Sequence, residues 1–357
     1  MTLFKDMLGS EESLFINEMA LDYEFLPKLL PYRESEQRHF ATCIQPLLQS
    51  RNGRNLFVFG APGIGKTAAM KFVFRDLEDE TDDVIPIYVN CWQKNTTFKI
   101  LVDICDQLGY KLTHNKRTEE LLAVVKQIVN KKAAVFAFDE IDKVEDYDFL
   151  YTIVEEIYKK SIFLITNHRD WLSELDQRIK SRLLPEVLEF KQYNLTETKG
   201  ILSKRSDYAF VPNVWEHDAL DVVAARTFEL EDIRSGLYLM RESGMIAESK
   251  SSRKIMIEHV KAAVDKMEDF SVKPKKDLDD DQQVILDIVK DNSGKKIGDL
   301  FKIYQEKGGN AVYKTFQRKI RKLSDGKFIS IQLIKGGAEG TTSIITYQNT
   351  KKLTEFQ

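Results

Sequence analysis

The sequence predicts an α/β fold with a parallel-sheet core, a helical lid and a separate C-terminal domain. Three observations predict it. A glycine-rich pattern at residues 60–67 follows a short apolar run, and a second apolar run ends in acidic residues at Asp139. The pattern is then wholly helical from about Leu195, until a new set of helices and strands begins near residue 283. A chain of 357 residues is long enough for two or three domains.

Composition excludes several classes of protein. No apolar stretch approaches the ~20 residues of a membrane span, and the N-terminus lacks the pattern of a secretory signal. The three cysteines, Cys43, Cys91 and Cys105, form no C-x-x-C pair, which argues against a metal site or a disulfide framework. We therefore expect a protein of the reducing cytoplasm without a membrane partner.

Charge is distributed unevenly along the chain. From Val284 to the end there are 14 Lys and Arg against 7 Asp and Glu, a balance of +7, while residues 1–283 have 39 against 49, a balance of −10. A basic tail on an acidic body favours a polyanionic partner for the C-terminal domain. A solvated basic face is the alternative, and charge alone does not distinguish the two.

The glycine-rich stretch fits the pattern G-x-x-x-x-G-K-[ST] of a P-loop. It lies between an apolar run at residues 56–59 and a helical pattern at residues 68–74, which is the context that a phosphate-binding loop needs. We expect ATP or ADP as the ligand, with Lys66 reaching the β-phosphate and, in ATP, also the γ-phosphate, and with Thr67 binding Mg²⁺. The predicted nucleotide contacts from this stretch are Gly60, Ala61, Pro62, Gly63, Ile64, Gly65, Lys66, Thr67 and Ala68.

Two further strands end in polar residues. The apolar run at residues 133–138 leads into Asp139 and Glu140, and the run at residues 161–166 leads into Asn167. Ligands bind at the carboxyl ends of strands in open α/β sheets. We expect Asp139 to hold Mg²⁺, Glu140 to orient or deprotonate the attacking water, and Asn167 to contact the γ-phosphate or that water. A turn-forming role for Asn167 is equally compatible with its sequence.

The spacing of apolar residues predicts further helices and strands, and its absence predicts a linker. Residues 84–90 and 187–190 are predicted strands, and residues 35–48, 97–108 and 118–129 are predicted helices. The charged, proline-containing stretch at residues 271–281 has no apolar period and is predicted to be a linker. The expected domains are a core over residues 1–192, a lid over 193–270, a linker over 271–282 and a C-terminal domain over 283–357.

The C-terminal domain is predicted to be a winged helix. Helices are expected over residues 283–289, 297–304 and 311–323, and strands over 328–334 and 342–347. Val312, Phe316, Ile320 and Leu323 form the expected inward stripe of the third helix. The predicted DNA contacts are Lys314, Gln317, Arg318, Arg321, Lys335, Gly336 and Gly337. Protein binding by the same domain is the alternative.

Taken together these motifs resemble AAA+ ATPases, and among them the archaeal replication initiators of the origin-recognition and cell-division-control type. The lead-in segments at residues 17–22 and 30–36 are the most diagnostic part of the resemblance. It implies that Tyr32 and Arg33 lie near the adenine, and that the helix at residues 97–108 is a second DNA-contacting element. Asn167 matches the family's first sensor.

The resemblance also implies roles for three arginines. Arg178 and Arg182 fall in the arginine-finger box, where we favour Arg182, and Arg234 matches the second sensor of the lid. Relatives often have glycine where this chain has Glu231. Since the finger acts in trans, the ATPase is expected to be slow by itself.

The implied activity is ATP-dependent initiation of DNA replication. Its implied partners are duplex origin DNA, the replicative minichromosome-maintenance helicase, and further copies of the chain assembled on DNA. Two alternatives stay open at this point. One is another AAA+ ATPase, of the transposition or signalling type, whose winged helix binds protein. The other is a nucleotide-gated DNA-binding module without hydrolysis, against which the pair Asp139 and Glu140 argues.

Overall fold

The chain divides into two compact units, Met1–Met256 and Ile257–Gln357. The computed structural model describes residues 13–216, 218–271, 280–309, 311–325, 328–334 and 342–347. Within those ranges, no helix combines the length and the apolar character needed to cross a membrane.

Five parallel strands form the sheet of the first unit. They are β1 (Leu56–Phe59), β2 (Val84–Asn90), β3 (Ala133–Asp139), β4 (Lys160–Thr166) and β5 (Glu186–Glu189). Their order in the sheet is β2-β3-β4-β1-β5. All residues of β1 and β3 are buried, as expected of parallel strands that are covered on both faces. Each of these strands was predicted from its apolar run.

Helices cover both faces of the sheet. They are α1 (Glu34–Leu48), α2 (Lys66–Glu80), α3 (Thr97–Gln107), α4 (Thr118–Val129), α5 (Asp148–Glu156), α6 (Trp171–Glu174) and α7 (Gln177–Leu183). Side chains of β3 alternate between two cores. Phe136 and Phe138 pack with residues of α3, α4 and α5, while Val135 and Ala137 pack with residues of α1 and α2. Because α5 and α6 are only nine and four residues long, their periodicity was too short to predict them.

The register of the strands aligns their carboxyl ends. Phe59 of β1 lies beside Thr166 of β4, and Asp139 of β3 lies beside Ile165. The residues that follow these strands therefore emerge at one edge of the sheet. This edge carries the P-loop, the acidic pair and Asn167.

Three helices form the lid of the first unit, and the N-terminal segment runs along them. The helices are α8 (Leu195–Ala209), α9 (Ala219–Leu230) and α10 (Ile233–Ser249). The Asp232 side chain caps α10 by accepting a hydrogen bond from the Arg234 N–H at 2.9 Å. The Ile16 N–H donates to the Ala209 carbonyl at 2.9 Å, which ties the lead-in to the end of α8.

The second unit contains helices and a small antiparallel sheet. Its elements are α11 (Ile257–Ser271), α12 (Asp280–Asp291), β6 (Lys295–Lys296), α13 (Ile297–Glu306), α14 (Tyr313–Asp325), β7 (Ile329–Ile334) and β8 (Thr342–Tyr347). The sheet order is β6-β8-β7. Helix α12 begins at Asp280, inside the stretch predicted to be a linker, while residues 272–279 lie outside the described residues. The two-residue strand β6 was not predicted.

The core of the second unit corrects one prediction. Phe316, Ile320 and Leu323 of α14 are buried, as the apolar stripe predicted. Val312 was predicted to join them and is instead 69% exposed. The prediction was wrong because α14 begins at Tyr313, so Val312 lies before the first turn and does not follow the helical period.

Candidate nucleotide-binding site

The loop between β1 and α2 has the geometry of a phosphate-binding loop. Gly63 has φ +73°, in the left-handed region that side chains with a Cβ rarely adopt. The lid also approaches this residue closely, because a Cβ at Gly63 would collide with the Asp232 carboxylate. Glycine is therefore required here by both backbone conformation and space.

Lys66 is held at the centre of the loop. Its Nζ donates to the Gly60 carbonyl at 2.9 Å, to the Ala61 carbonyl at 2.8 Å and to Asn167 Oδ1 at 2.7 Å. Burial lowers the pKa of Lys66 to about 8, although the nearby carboxylates of Asp139 and Glu140 act in the opposite direction. A buried ammonium bound only to neutral oxygens is available to neutralise an anion.

Thr67 and Asp139 place oxygen ligands next to each other. The Thr67 hydroxyl donates to Asp139 Oδ2 at 2.5 Å, and the Tyr88 hydroxyl donates to the same oxygen at 3.2 Å. Burial raises the pKa of Tyr88 well above its usual range, so this hydroxyl remains a donor. A carboxylate and a hydroxyl in contact are the donor chemistry that Mg²⁺ prefers, so these residues fit that ion. The sequence analysis missed Tyr88, since nothing in an apolar strand indicates which hydroxyl will face the acid.

Glu140 and Asn167 form the next contact along this edge. Asn167 Nδ2 donates to both carboxylate oxygens of Glu140, at 3.2 and 3.1 Å. Asn167 thus bridges Lys66 and Glu140 through its two amide atoms. Glu140 has φ +54°, a strained conformation for a residue with a side chain, and such strain is typical of functional sites.

Asp142 supports the loop that carries Glu140. It accepts hydrogen bonds from the Thr166 hydroxyl at 2.6 Å and forms an ion pair with Lys143 at 2.6 Å. Burial would raise the pKa of Asp142, but these two partners outweigh it and hold the pKa below its usual value. Asp142 was not singled out from the sequence, although it lies only two residues after Glu140.

The lid reaches the loop through the start of α10. The Ile233 N–H donates to the Gly63 carbonyl at 3.3 Å. Arg234 is about half exposed and contributes to lowering the pKa of Lys66, which places its charge near the phosphate-binding lysine. A small cavity of about 60 Å³ lies between the loop and the lid, with Ile64, Tyr193 and Asp232 among its lining residues.

The remaining predicted nucleotide contacts are Ala68, Tyr32 and Arg33. Ala68 is half-buried in the first turn of α2. Tyr32 packs against Gly200 of α8, where a Cβ would overlap its ring and hydroxyl. Arg33 is 4% exposed and donates hydrogen bonds to the backbone carbonyls of Ile64 and Lys191. Every nitrogen of its guanidinium donates within the protein.

The two finger candidates lie on the surface of α7. Arg178 is 78% exposed and pairs with Asp176 at 3.1 Å. Arg182 forms an ion pair with Glu155 and lies over the Tyr151 ring at 5.6 Å. Both side chains are bound to their own chain, and neither contacts the residues around Lys66 in the hydrogen bonds of the described residues.

The predicted DNA contacts of α14 share one face. Lys314, Gln317, Arg318 and Arg321 have the spacing i, i+3, i+4, i+7 and line one groove of about 640 Å³. Ile297 and Ile331 lie in the same groove, which opens beside the hairpin of β7 and β8. Lys319 points elsewhere and pairs with Asp281 at 2.8 Å. The predicted wing residues Lys335, Gly336 and Gly337 lie outside the described residues.

One further cluster combines side chains that bind metals in other proteins. Ligand atoms of His39, Cys43 and Glu186 lie within 4.8 Å of one another. Glu186 already pairs with His39 at 3.0 Å and with Arg54 at 3.2 Å. Burial and the Glu186 carboxylate raise the pKa of the Cys43 thiol to about 11. We therefore interpret the cluster as an ion-pair network beside a neutral thiol.

Two models of known protein families match this chain, one over the sheet domain and one over the lid. Residues 49–170 match the family model described as an AAA domain, and residues 199–265 match the Cdc6 AAA+ ATPase-type lid domain. The ORC1-type DNA replication protein 1 of Archaeoglobus fulgidus is 30% identical over 344 residues, which cover 90% of this chain and 84% of that protein. The chain belongs to the ORC1-type DNA replication proteins. The predicted resemblance is thereby confirmed.

Solved structures place this ORC1-type protein in the same fold. The Aeropyrum pernix ORC1 protein, solved in complex with DNA, is 25% identical with a TM-score of 0.69, and the match covers 95% of this chain and 94% of that one. The Aeropyrum pernix ORC2 protein, solved in ADPNP and ADP complexes, has a TM-score of 0.70 at 18% identity, and the match covers 94% of each chain. The predicted AAA+ core with a parallel sheet and a helical lid is confirmed.

Proposed function

We propose that this ORC1-type protein is an ATP-dependent initiator of DNA replication, which binds duplex origin DNA and helps to recruit or load a replicative minichromosome-maintenance helicase. The observation that carries this proposal is the convergence of Lys66, Thr67, Asp139, Glu140 and Asn167 at one edge of the sheet. We infer a role in DNA replication from the family, since relatives are replication proteins. We infer a cytoplasmic, nucleoid-associated protein.

The nucleotide chemistry follows from these side chains. Lys66 binds the β- and γ-phosphates of ATP, and Glu140 orients the attacking water and accepts its proton. Thr67 and Asp139 would hold Mg²⁺, which would neutralise phosphate charge when bound. Asn167 lies between Lys66 and Glu140 and positions the water against the γ-phosphate. The products are ADP and phosphate.

The arginines complete this proposal. Arg234 approaches the γ-phosphate from the lid, consistent with its influence on Lys66. Arg182 acts as the finger of a neighbouring copy assembled on DNA, and its exposed position suits action in trans. Loss of a finger costs roughly 10³–10⁵ in rate, so an isolated copy hydrolyses ATP slowly.

The second unit supplies DNA binding in this proposal. Helices α12, α13 and α14 followed by the hairpin of β7 and β8 have the order of a winged helix. The cationic face of α14 lies in the major groove, and we propose Lys335, Gly336 and Gly337 as further DNA contacts. We propose the domain bounds 1–192, 193–270, 271–282 and 283–357, and helix α3 as a second DNA contact.

The salt dependence of DNA binding tests this function. We expect the full chain to bind duplex DNA with an affinity that falls steeply with salt, by a log–log slope of about 0.9 for each phosphate contact. Arg318→Ala should weaken binding by ~1–3 kcal/mol if this side chain contacts a base, and should relax sequence preference there. Fluorescence anisotropy across a salt series, with and without ATP, is the measurement.

A matched control removes the same charge from another surface. Lys290 of α12 is exposed and lies outside the groove, so Lys290→Ala should leave affinity within about twofold. Undetectable or salt-independent binding of the wild-type chain would contradict the initiator proposal. It would leave an AAA+ ATPase whose winged helix binds protein.

The buried ammonium predicts a pH dependence of nucleotide binding. The pKa of Lys66 is about 8 in the protein without nucleotide, and bound phosphates stabilise its protonated form. Below pH 8 the lysine is charged in both states, so affinity should be constant. Above pH 8 binding requires proton uptake, and the Kd should rise by up to about tenfold per pH unit. The terminal phosphate does not interfere, since its last pKa is about 6.

Titration with a fluorescent ATP analogue between pH 7 and 9.5 measures this dependence. Tyr88 and Cys91 do not titrate in this window, because burial raises the pKa of each. A Kd that is constant up to pH 9.5 would contradict a pKa of Lys66 near 8 in the protein without nucleotide.

A further inference from the structure

Two consecutive residues of the N-terminal segment contact three separate parts of the nucleotide site. Tyr32 has φ +64°, a left-handed conformation that is uncommon for an aromatic residue. This conformation sends the side chains of Tyr32 and Arg33 to different elements. Tyr32 lies on the lid helix α8, while Arg33 lies against the P-loop and the segment that joins β5 to α8.

The contact of Tyr32 depends on the absence of a side chain at Gly200. A Cβ at that position would overlap the hydroxyl and two ring atoms of Tyr32. Gly200 lies within α8, where its backbone conformation is helical and would accept alanine. The glycine is therefore explained by the approach of Tyr32 and not by helix geometry.

Arg33 joins the P-loop to the segment between β5 and α8. Its Nη2 donates to the Ile64 carbonyl at 3.0 Å and to the Lys191 carbonyl at 2.6 Å, and its Nε donates to the Tyr193 hydroxyl at 2.9 Å. Ile64 belongs to the P-loop, whereas Lys191 and Tyr193 lie between β5 and α8. The guanidinium also stacks on Tyr193, with Cζ 3.9 Å from the ring centroid. Glu36 accepts from Nη1 at 2.8 Å and supplies the opposite charge.

These contacts make the guanidinium a rigid connection. Its donors have a fixed planar geometry, so a shift of the Ile64 carbonyl must be followed by Lys191 and Tyr193 or must break hydrogen bonds. Breaking them is costly, because a buried charged group would lose its partners. Movement of the P-loop is therefore transmitted to the start of α8, whose surface Tyr32 holds.

We propose that Tyr32 and Arg33 are positioning residues that couple the state of the P-loop to the position of the lid. This inference rests on the proposed function only in that ATP and ADP bind the P-loop. Both residues act through the protein groups that they contact, the Ile64 carbonyl and helix α8 among them. They determine how far the lid responds when phosphates occupy the loop.

The first test is Gly200→Ala in the full chain. The added Cβ displaces Tyr32, while alanine is a better helix former than glycine, so α8 should not be destabilised. We expect the ratio of proteolytic cleavage rates in the lid with ADP and with a non-hydrolysable ATP analogue to fall at least about threefold toward unity. Affinity for ADP should change less than about threefold. Thermal unfolding confirms that the variant is folded.

Combining Gly200→Ala with Tyr32→Ala shows whether the effect of the first substitution depends on Tyr32. In a Tyr32→Ala background the clash is absent, so Gly200→Ala should have no further effect on the cleavage ratio. Gly298→Ala is the matched control, because that glycine also lies in a helix and a Cβ there would have no neighbour within 4 Å. It should leave the ratio unchanged.

Arg33→Lys tests the guanidinium itself. Lysine keeps the charge but cannot bind Ile64, Lys191 and Tyr193 together. We expect the cleavage ratio to fall toward unity and the affinity for the ATP analogue to fall by about tenfold, which corresponds to about one hydrogen bond to a charged group. A merely structural role would lower the unfolding temperature and leave the ratio of the two nucleotide states intact.

The outcomes separate this inference from the proposed function. If the wild-type chain binds nucleotide and both variants keep the full difference between the two nucleotide states, the coupling role is wrong and the ATPase proposal stands. The same conclusion follows if the wild-type lid responds identically to both nucleotides. If the wild-type chain binds neither nucleotide, the proposed function and the coupling role are both wrong.

Discussion

Lys66→Ala should abolish tight nucleotide binding. The substitution removes a buried cation that is surrounded by neutral acceptors and faces the predicted position of the phosphates. Loss of one partner from a buried charged contact costs about 2–5 kcal/mol, which corresponds to a weakening of roughly 30-fold to several thousand-fold. Isothermal titration with ATP and ADP in the presence of Mg²⁺ measures this effect.

Lys126→Ala is the matched control for that experiment. Lys126 is exposed and pairs with Glu156 on the surface, so its removal deletes the same charge without touching the P-loop. Its nucleotide affinity should equal that of the wild type. Equal affinity in Lys66→Ala and in the wild type would remove the basis of the nucleotide site.

Glu140→Gln should separate binding from turnover. Glutamine has the shape of glutamate and can still accept a hydrogen bond from Asn167, but it cannot accept the proton of the attacking water. We expect near-normal ATP affinity together with a loss of hydrolysis of about 10²–10⁴-fold. Phosphate release under single-turnover conditions measures the chemical step and excludes an effect on product release.

The control for Glu140→Gln lies five residues further along the same loop. Glu145 is exposed and accepts a hydrogen bond from Asn95, so Glu145→Gln should leave the rate unchanged. Hydrolysis by Glu140→Gln at the wild-type rate would show that another group activates the water.

The core of the site could be predicted because its residues follow short local patterns. The P-loop is a contiguous motif, and the acidic pair and Asn167 follow apolar strands whose ends meet in a parallel sheet. The strand over residues 84–90 was predicted with its observed bounds for a similar reason. Its β-branched residues form a short run, and the residues on either side of that run do not favour an extended strand.

The missed contacts are those between distant parts of the chain. Arg33 and Tyr193 are 160 residues apart in the sequence. Asp232 lies next to Gly63 because the lid packs close to the P-loop in the folded protein. Tyr88 faces Asp139 because of strand order, which residue types alone do not specify. The error at Val312 has a local origin, since a helical period does not show where the helix begins.

Because the strand ends are aligned, the position of Asn167 in the site depends on the length of β4. Its residues alternate between the two cores, with Ile162 and Leu164 on one side of the sheet and Phe163 and Ile165 on the other. Inserting one residue in this strand would move every later side chain to the opposite side. It would also carry Asn167 about 3.3 Å along the strand, beyond hydrogen-bond reach of Lys66. Insertions in β4 should therefore destabilise the site far more than insertions at the exposed residues Lys131 and Lys132.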